Sequence, residues 1–327
     1  MMNVSVIGSG KIVSEALPIL CGTEGIHVRS LWTRAHSLDR TRGLASAHNV
    51  QIVCTDYDEV LTDPLTDCVY IALINSVHYE YALQALEAGK NVILEKPACL
   101  RAVELGHLVE VARRNHLFLF EAVTLLHLPA MHILRERLLP QIGRIRHVEC
   151  NYSQRSSRMD RYLCGDVAPA LDPNAGGGAL TDINVYNLHF VNALLGKPLQ
   201  ASYHCLTGYN GVDLSGTALL RYPEALAVCT GSKETETASF GLIQGEKGWI
   251  RVNGPVSTMS GLTWCLNGGQ PQEMDVPPVA HRLAPEFAAF ASLYAQRDYD
   301  GMNHLLDHSL SVMELLSTLI PYGKFDD

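Results

Sequence analysis

Gly8-Ser9-Gly10-Lys11-Ile12-Val13 follows directly on a short apolar run, Val4-Ser5-Val6-Ile7, and leads into a helical pattern. That junction reads as the first strand and helix of an α/β domain. Glycines there permit a tight turn and let backbone N–H groups approach an anion at the positive end of the helix. The usual third glycine is replaced by Val13, so the turn by itself fits either a dinucleotide site or an ordinary βα connection. Its place at the very first βα junction favours the dinucleotide.

The rhythm that follows supports this reading. Strand patterns at residues 4–7, 27–32, 51–54, 68–72, 91–94 and 118–121 alternate with helical ones at 11–20, 37–48, 78–88 and 102–115. Pro18 is expected to kink or end the first helix, and Gly89 suits the end of the third. Such alternation builds a doubly wound parallel sheet. After residue 124 the pattern changes. Strands follow one another at 145–152, 201–207, 213–222, 226–232, 240–244 and 248–252, interrupted by one long helix over 178–195 and closed by helices at 282–297 and 302–320. The expected organisation is a dinucleotide-binding domain over 1–124 and a second domain over 125–327. The second would carry a large, open, mostly antiparallel sheet with one face covered by helices. Its other face is then available for a homodimer or homotetramer.

Charge and cysteines narrow the partners. A formal net charge of −9 argues against nucleic acid, whose phosphates need a basic surface. No apolar run approaches the length of a membrane helix, and the amino terminus lacks the basic region of a signal peptide. Nine scattered cysteines, never spaced C-x-x-C, suggest reduced thiols in the cytoplasm rather than a disulfide framework or a zinc site. His304 and His308 are four apart on a helix, but no third metal ligand is evident.

The end of the second strand bears on cofactor choice. An acidic residue there would bind the adenosine ribose hydroxyls, and a basic one would accept a 2′-phosphate. The strand ends Trp32-Thr33-Arg34, with no acid before Asp39. Thr33 can donate to a phosphate, and Arg34 can pair with it or be a solvated loop arginine. NADP is therefore expected over NAD, with NAD still possible.

Three further stretches carry chemistry. Lys96 follows the fifth strand, at the carboxyl edge where ligands bind in doubly wound folds, and Pro97 stiffens the turn behind it. An ammonium there can stabilise alkoxide character during hydride transfer, although a lysine at a strand end is commonly just a surface residue. Asp182, Tyr186 and His189 fall at i, i+4 and i+7 on the long helix, behind Gly176-Gly177-Gly178. Tyr186 is the expected proton donor, assisted by Lys96, with Asp182 orienting a substrate hydroxyl; His189 fits a core histidine better. Arg158, in the run Arg155-Ser156-Ser157-Arg158-Met159-Asp160-Arg161, either recognises an anionic substrate group or belongs to a solvated loop.

Glu95-Lys96-Pro97, taken with Gly8-x-Gly10, Asn75-x-x-His78 and the run from Gly176 to Tyr186, resembles the glucose–fructose oxidoreductase/inositol dehydrogenase (Gfo/Idh/MocA) family over essentially the whole length. The likeness is greatest to the branch of dimeric dihydrodiol dehydrogenases. Two departures stand out: Ile74 replaces the proline common before Asn75, and Tyr186 replaces the histidine of inositol dehydrogenase-like members, which points away from inositol. The resemblance implies a Rossmann domain binding the cofactor through Gly8, Ser9, Gly10, Lys11 and Ile12, with Thr33 and Arg34 at its adenosine end. It places Asn75, His78, Glu95 and Lys96 near the cofactor. It also implies a catalytic Lys96, a turn compatible with a cis bond before Pro97, and Asp182 and Tyr186 facing a sugar, polyol, dihydrodiol or carbonyl substrate. The expected activity is that of an NAD(P)-dependent dehydrogenase or reductase; an NAD-dependent sugar dehydrogenase and a non-catalytic NADP(H) sensor are the rival readings.

Overall fold

The structure, a computed structural model, describes residues 1–320; the last seven residues of the expected second domain, 321–327, lie outside the described residues. Two compact units are present: Met1–Ala122 with Val279–Leu310, and Val123–Pro278 with the chain from Ser311 onward.

The first unit alternates as the pattern predicts. In order it contains β1 (Met2–Ile7), α1 (Lys11–Gly22), β2 (Ile26–Trp32), α2 (Leu38–Ala47), β3 (Ile52–Cys54), α3 (Tyr57–Thr62), β4 (Cys68–Ile71), α4 (His78–Glu87), β5 (Asn91–Glu95), α5 (Ala102–Arg114) and β6 (Leu119–Ala122). The strands form one parallel sheet in the order β3-β2-β1-β4-β5-β6. The order reverses between β1 and β4, the crevice where doubly wound sheets bind ligands. Every residue of β4 and β6 is buried, as in a sheet covered on both faces. The first helix runs on through Pro18 to Gly22. The short α3 was not foreseen; the Asp56 carboxylate caps it by accepting from the N–H of Asp58.

In the second unit come α6 (Pro129–Ile133), β7 (Ile145–Ser153), α7 (Met159–Leu163) and α8 (Val185–Leu195). They are followed by β8 (Gln200–Thr207), β9 (Asp213–Arg221), β10 (Leu226–Ser232), β11 (Phe240–Gly245), β12 (Gly248–Asn253), β13 (Gly261–Leu266) and β14 (Gln272–Met274). These eight strands make one open sheet, β14-β13-β12-β11-β7-β10-β9-β8. It is antiparallel except where β10 runs parallel to β7. The two strands at one edge, β13 and β14, were not legible in the sequence. Inward positions of β9 and β10 are small, Gly216, Ala218, Cys229 and Gly231, and this lets a helix lie close. A Cβ on Gly231 would come within 2.7 Å of the Asn184 Cβ.

The chain closes with α9 (Ala284–Gln296) and α10 (Tyr299–Leu319). The helix α9 belongs to the first unit and covers one face of the parallel sheet. Phe290 stacks on Phe120 with ring centroids 4.5 Å apart, and Phe287 meets Tyr70 edge-on at 5.5 Å. No helix among the described residues is long and apolar enough to cross a membrane.

Candidate active site

In the first unit, Gly8 takes φ +132°, and a Cβ there would lie 2.5 Å from the Ala72 carbonyl oxygen at the end of β4. Only glycine fits that turn. Gly10 is the N-cap of α1 without a side-chain cap, and a Cβ on it would meet nothing within 4 Å. With no side-chain cap and no carboxylate in its first turn, the start of α1 suits a pyrophosphate. Lys11 is exposed and Ile12 half-buried beside it. Thr33 is buried, and its hydroxyl donates to Ser9 Oγ at 3.1 Å, so it ties the end of β2 to the glycine turn. Arg34 is exposed and, among the described residues, has no carboxylate partner.

Lys96 leaves the end of β5 half-buried, and its bond to Pro97 is cis. The turn that carries it is held by two buried groups. His78, at the start of α4, is fully buried with Nδ1 3.0 Å from the Pro97 carbonyl and Nε2 3.2 Å from the Leu73 carbonyl. It joins the loops after β4 and β5, while burial pulls its imidazole below the usual histidine range. Glu121 of β6 accepts from the N–H of Ala98 at 2.8 Å; burial pushes its carboxyl up to about 7. Glu95 is also buried, raised by burial, and accepts from Tyr70 Oη at 2.5 Å. Asn75 lies half-buried in the 3₁₀ turn Asn75–Val77 before α4. Gly8, Ser9, Gly10, Lys11, Asn75, His78, Glu95 and Lys96 thus all follow or end strands of one sheet at its carboxyl edge.

In the second unit the long helix starts as a π turn, Leu180–Asn184, continuous with α8. From Ala175 to Asn192 every residue is buried except Asp182 and Tyr186. The two side chains proposed from spacing are therefore the uncovered ones, and His189 is buried as a core residue. Buried amides pin the helix to β10: Asn184 Nδ2 donates to the Cys229 carbonyl at 2.9 Å, and Asn187 Nδ2 to the Thr230 carbonyl at 3.0 Å. Asp213, fully buried at the start of β9, accepts from the N–H of Leu180 at 2.7 Å and from Tyr203 Oη at 2.6 Å. Lys233, just beyond β10, pairs with Asp182. The Tyr186 ring lies 6.1 Å from that of Tyr152 on β7.

Sequence reasoning passed over Asn184, Asn187, Asp213 and Lys233. Two asparagines three apart in an apolar helix were a usable signal, because buried amides need partners. Asp213 and Lys233 gave none, since strands distant in sequence bring them to the helix. In the arginine loop, Arg155 pairs with Asp160 at 2.8 Å and Arg161 with Asp166 at 2.6 Å. Arg158 is half-buried and has no carboxylate partner among the described residues. All nine cysteines are free.

Residues 2–123 match the model of an oxidoreductase family with an NAD-binding Rossmann fold, GFO/IDH/MocA, and residues 140–251 match the C-terminal domain of the same family. The chain belongs to this family of oxidoreductases. A trans-1,2-dihydrobenzene-1,2-diol dehydrogenase of Danio rerio is 32% identical over 245 residues, 73% of this chain and 70% of that protein. The scyllo-inositol 2-dehydrogenase (NADP(+)) IolU of Bacillus subtilis is 27% identical over 97% of this chain and 95% of its own length. Among solved structures, KijD10, a 3-ketoreductase from Actinomadura kijaniata in complex with NADP and TDP-benzene, superposes with a TM-score of 0.86 at 24% identity. The match covers 97% of this chain and 96% of KijD10, and shows a shared fold.

Proposed function

We propose that the chain is an NADP-preferring enzyme that moves a hydride between the nicotinamide and the hydroxyl or carbonyl carbon of a sugar, polyol or dihydrodiol-type substrate. The observation that carries the cofactor preference is the end of β2. No carboxylate follows β2 along the chain before Asp39 on α2, while Arg34 offers an exposed cation to a 2′-phosphate. Relatives named as acting on a dihydrodiol and, with NADP, on scyllo-inositol agree with the reading.

Gly8, Ser9, Gly10 and Lys11 would hold the pyrophosphate of a nicotinamide dinucleotide, which would supply or take the hydride. Lys96 donates a hydrogen bond to the reacting oxygen and stabilises its alkoxide character. Tyr186 gives that oxygen its proton in reduction and removes it in oxidation. Asp182 accepts from a neighbouring substrate hydroxyl, and Arg158 is the loop cation left for an anionic substituent. Free cysteines throughout fit a reducing compartment such as the cytoplasm.

Fluorescence titration with NADPH and with NADH tests the cofactor reading. Tight NADPH binding and weak NADH binding is the expected result; the opposite ranking removes Arg34 from the argument, and binding of neither removes the reading. The uncovered face of the eight-stranded sheet, which exposes Leu219 and Leu226, is assigned to a homodimer or homotetramer. Light scattering that returns a monomer would withdraw that assignment.

A further inference from the structure

Lys96 is assigned to the reacting oxygen, and two carboxyls lie buried behind it in the first unit, Glu95 and Glu121. They are held differently. Glu95 accepts from Tyr70 Oη on β4. Glu121 stands opposite Leu94 where β6 pairs with β5. It accepts from the N–H of Ala98 at 2.8 Å and from the hydroxyl of Ser309 on α10. β6 is an edge strand of its sheet, from which a carboxyl could turn out to water. The helix α10 closes that route. Met302 Sδ accepts from the N–H of Leu119 at 3.3 Å, and buried Ser309 follows about two turns further along the helix.

The groups around Glu121 pull its charge in opposite directions. Burial opposes ionisation most, and Glu95 adds to it as a like charge. Lys96, the Ala98 N–H and the Ser309 hydroxyl favour the ionised form. Half-buried His308 stands beside Ser309 on α10. In the turn itself, burial, Glu104 of α5 and Glu121 push the Cys99 thiol up, so it stays neutral. His78, held on the Pro97 carbonyl, is pulled by burial towards its neutral form. Glu95 draws on two cations, Lys96 and Arg282, and Glu121 on Lys96. At about 7, Glu121 exchanges its proton within the ordinary working range.

We propose that Glu121 is a positioning residue for Lys96. Protonated, it holds the turn at Ala98 and leaves the ammonium to the reacting oxygen; ionised, it draws the ammonium back into the protein and slows turnover. The proposal rests on the functional reading above, in which Lys96 donates to that oxygen. A buried carboxylate is a stronger acceptor than a neutral carbonyl oxygen, so the two compete unequally for one ammonium. A purely structural Glu121 would lower stability and turnover alike, with no dependence on its own charge.

Trace acetylation with acetic anhydride reads the lysine without any substrate, because only the neutral amine reacts. Mass spectrometry counts Lys96 against exposed Lys11 in the wild type and in Glu121→Gln. The two proteins should give similar ratios at pH 6. At pH 8.5 Lys96 should react ~10-fold faster in Glu121→Gln, where no carboxylate holds its proton. Equal ratios at pH 8.5 overturn the proposal. Reduction of 2-hydroxycyclohexanone with NADPH reads the consequence. Wild-type kcat/KM should fall ~10-fold between pH 6 and pH 8, and the fall should be absent in Glu121→Gln. Ser309→Ala removes a hydrogen bond that favours the ionised carboxyl, so it should move the fall to higher pH by about one unit. A wild type without the fall, a fall that persists in Glu121→Gln, or a midpoint that Ser309→Ala leaves in place or lowers would each overturn the proposal. If Glu121→Gln does not fold, Ser309→Ala decides. A wild type that binds NADPH and reduces no ketone counts against the functional reading instead, and the acetylation ratio still decides the inference.

Discussion

At the carboxyl edge of the first sheet, the functional groups sit on βα junctions of a few residues each, and backbone conformation does much of the shaping. Gly8 is there because a Cβ would strike the Ala72 carbonyl, while at Gly10 a Cβ would meet nothing within 4 Å. The head of α8 in the second unit is made in another way. Its two uncovered residues are framed by side chains brought in by the strands, Asp213 from β9 and Lys233 from beyond β10, while the helix's own buried amides, Asn184 and Asn187, pin it to β10. A backbone-shaped site depends on local sequence and tolerates no bulk. A site framed by side chains depends on sheet register, and it can be retuned one residue at a time.

The largest expected effect lies in the second unit. Tyr186→Phe removes the proposed proton donor while keeping the ring, and turnover of a genuine substrate should fall ~10²–10⁴-fold with the fold intact. Steady-state rates check this, and unchanged turnover would take the proton-donor role from Tyr186. Next is Gly8→Ala, which puts a Cβ into the Ala72 carbonyl at a φ only glycine adopts readily. Roughly 3 kcal/mol of stability should be lost in denaturant unfolding, together with NADPH binding. A stable Gly8→Ala protein that still binds NADPH would break the contrast between the two halves.

The smallest effect, and the one that sharpens the contrast most, concerns Glu121. Its folded-state pKa of about 7 lies above the 4.5 of an ordinary glutamate, so the fold favours the protonated form. That contribution is fully present below about pH 4.5 and is lost as pH rises through 7. Glu121→Gln keeps an acceptor for the Ala98 N–H and has nothing to titrate. Its stability relative to wild type should therefore increase between pH 5 and pH 8, by up to about 3 kcal/mol. Urea unfolding at the two pH values measures the change, and a pH-independent difference would show that Glu121 does not titrate in this window.

The same contrast explains what could be read in advance. Strands of the parallel sheet are short apolar runs separated by helical periodicity, so β1 to β6 and the glycine turn are visible in sequence. Spacing put Asp182, Tyr186 and His189 on one face, and the π turn at Leu180–Asn184 leaves the first two half-buried and His189 buried. It missed α3, whose six residues are too few for a period to show. It missed β14, three residues long, and β13, in which Thr263 and Trp264 are both half-buried in succession and blur the alternation. Lys233 was invisible for a different reason. A lysine beside a glutamate after a strand reads as solvated turn, and only the pairing of β10 with β9 brings it beneath the helix.

The parallel contact between β7 and β10 has a consequence for how the protein is made. β7 sits in the middle of its sheet, flanked by β10 and β11, yet neither neighbour is nearer than about seventy residues along the chain. At translation rates of 5–20 residues per second, β7 leaves the ribosome on the order of 4–15 s before a partner strand exists. Until then both of its edges are open, and closing the sheet requires long loops to be drawn together at once. The second unit should therefore acquire its sheet late and as a whole, after the hairpins β8–β9–β10 and β11–β12–β13 have formed on either side. A nascent chain arrested short of β10 would be the form most exposed to chaperones and to aggregation.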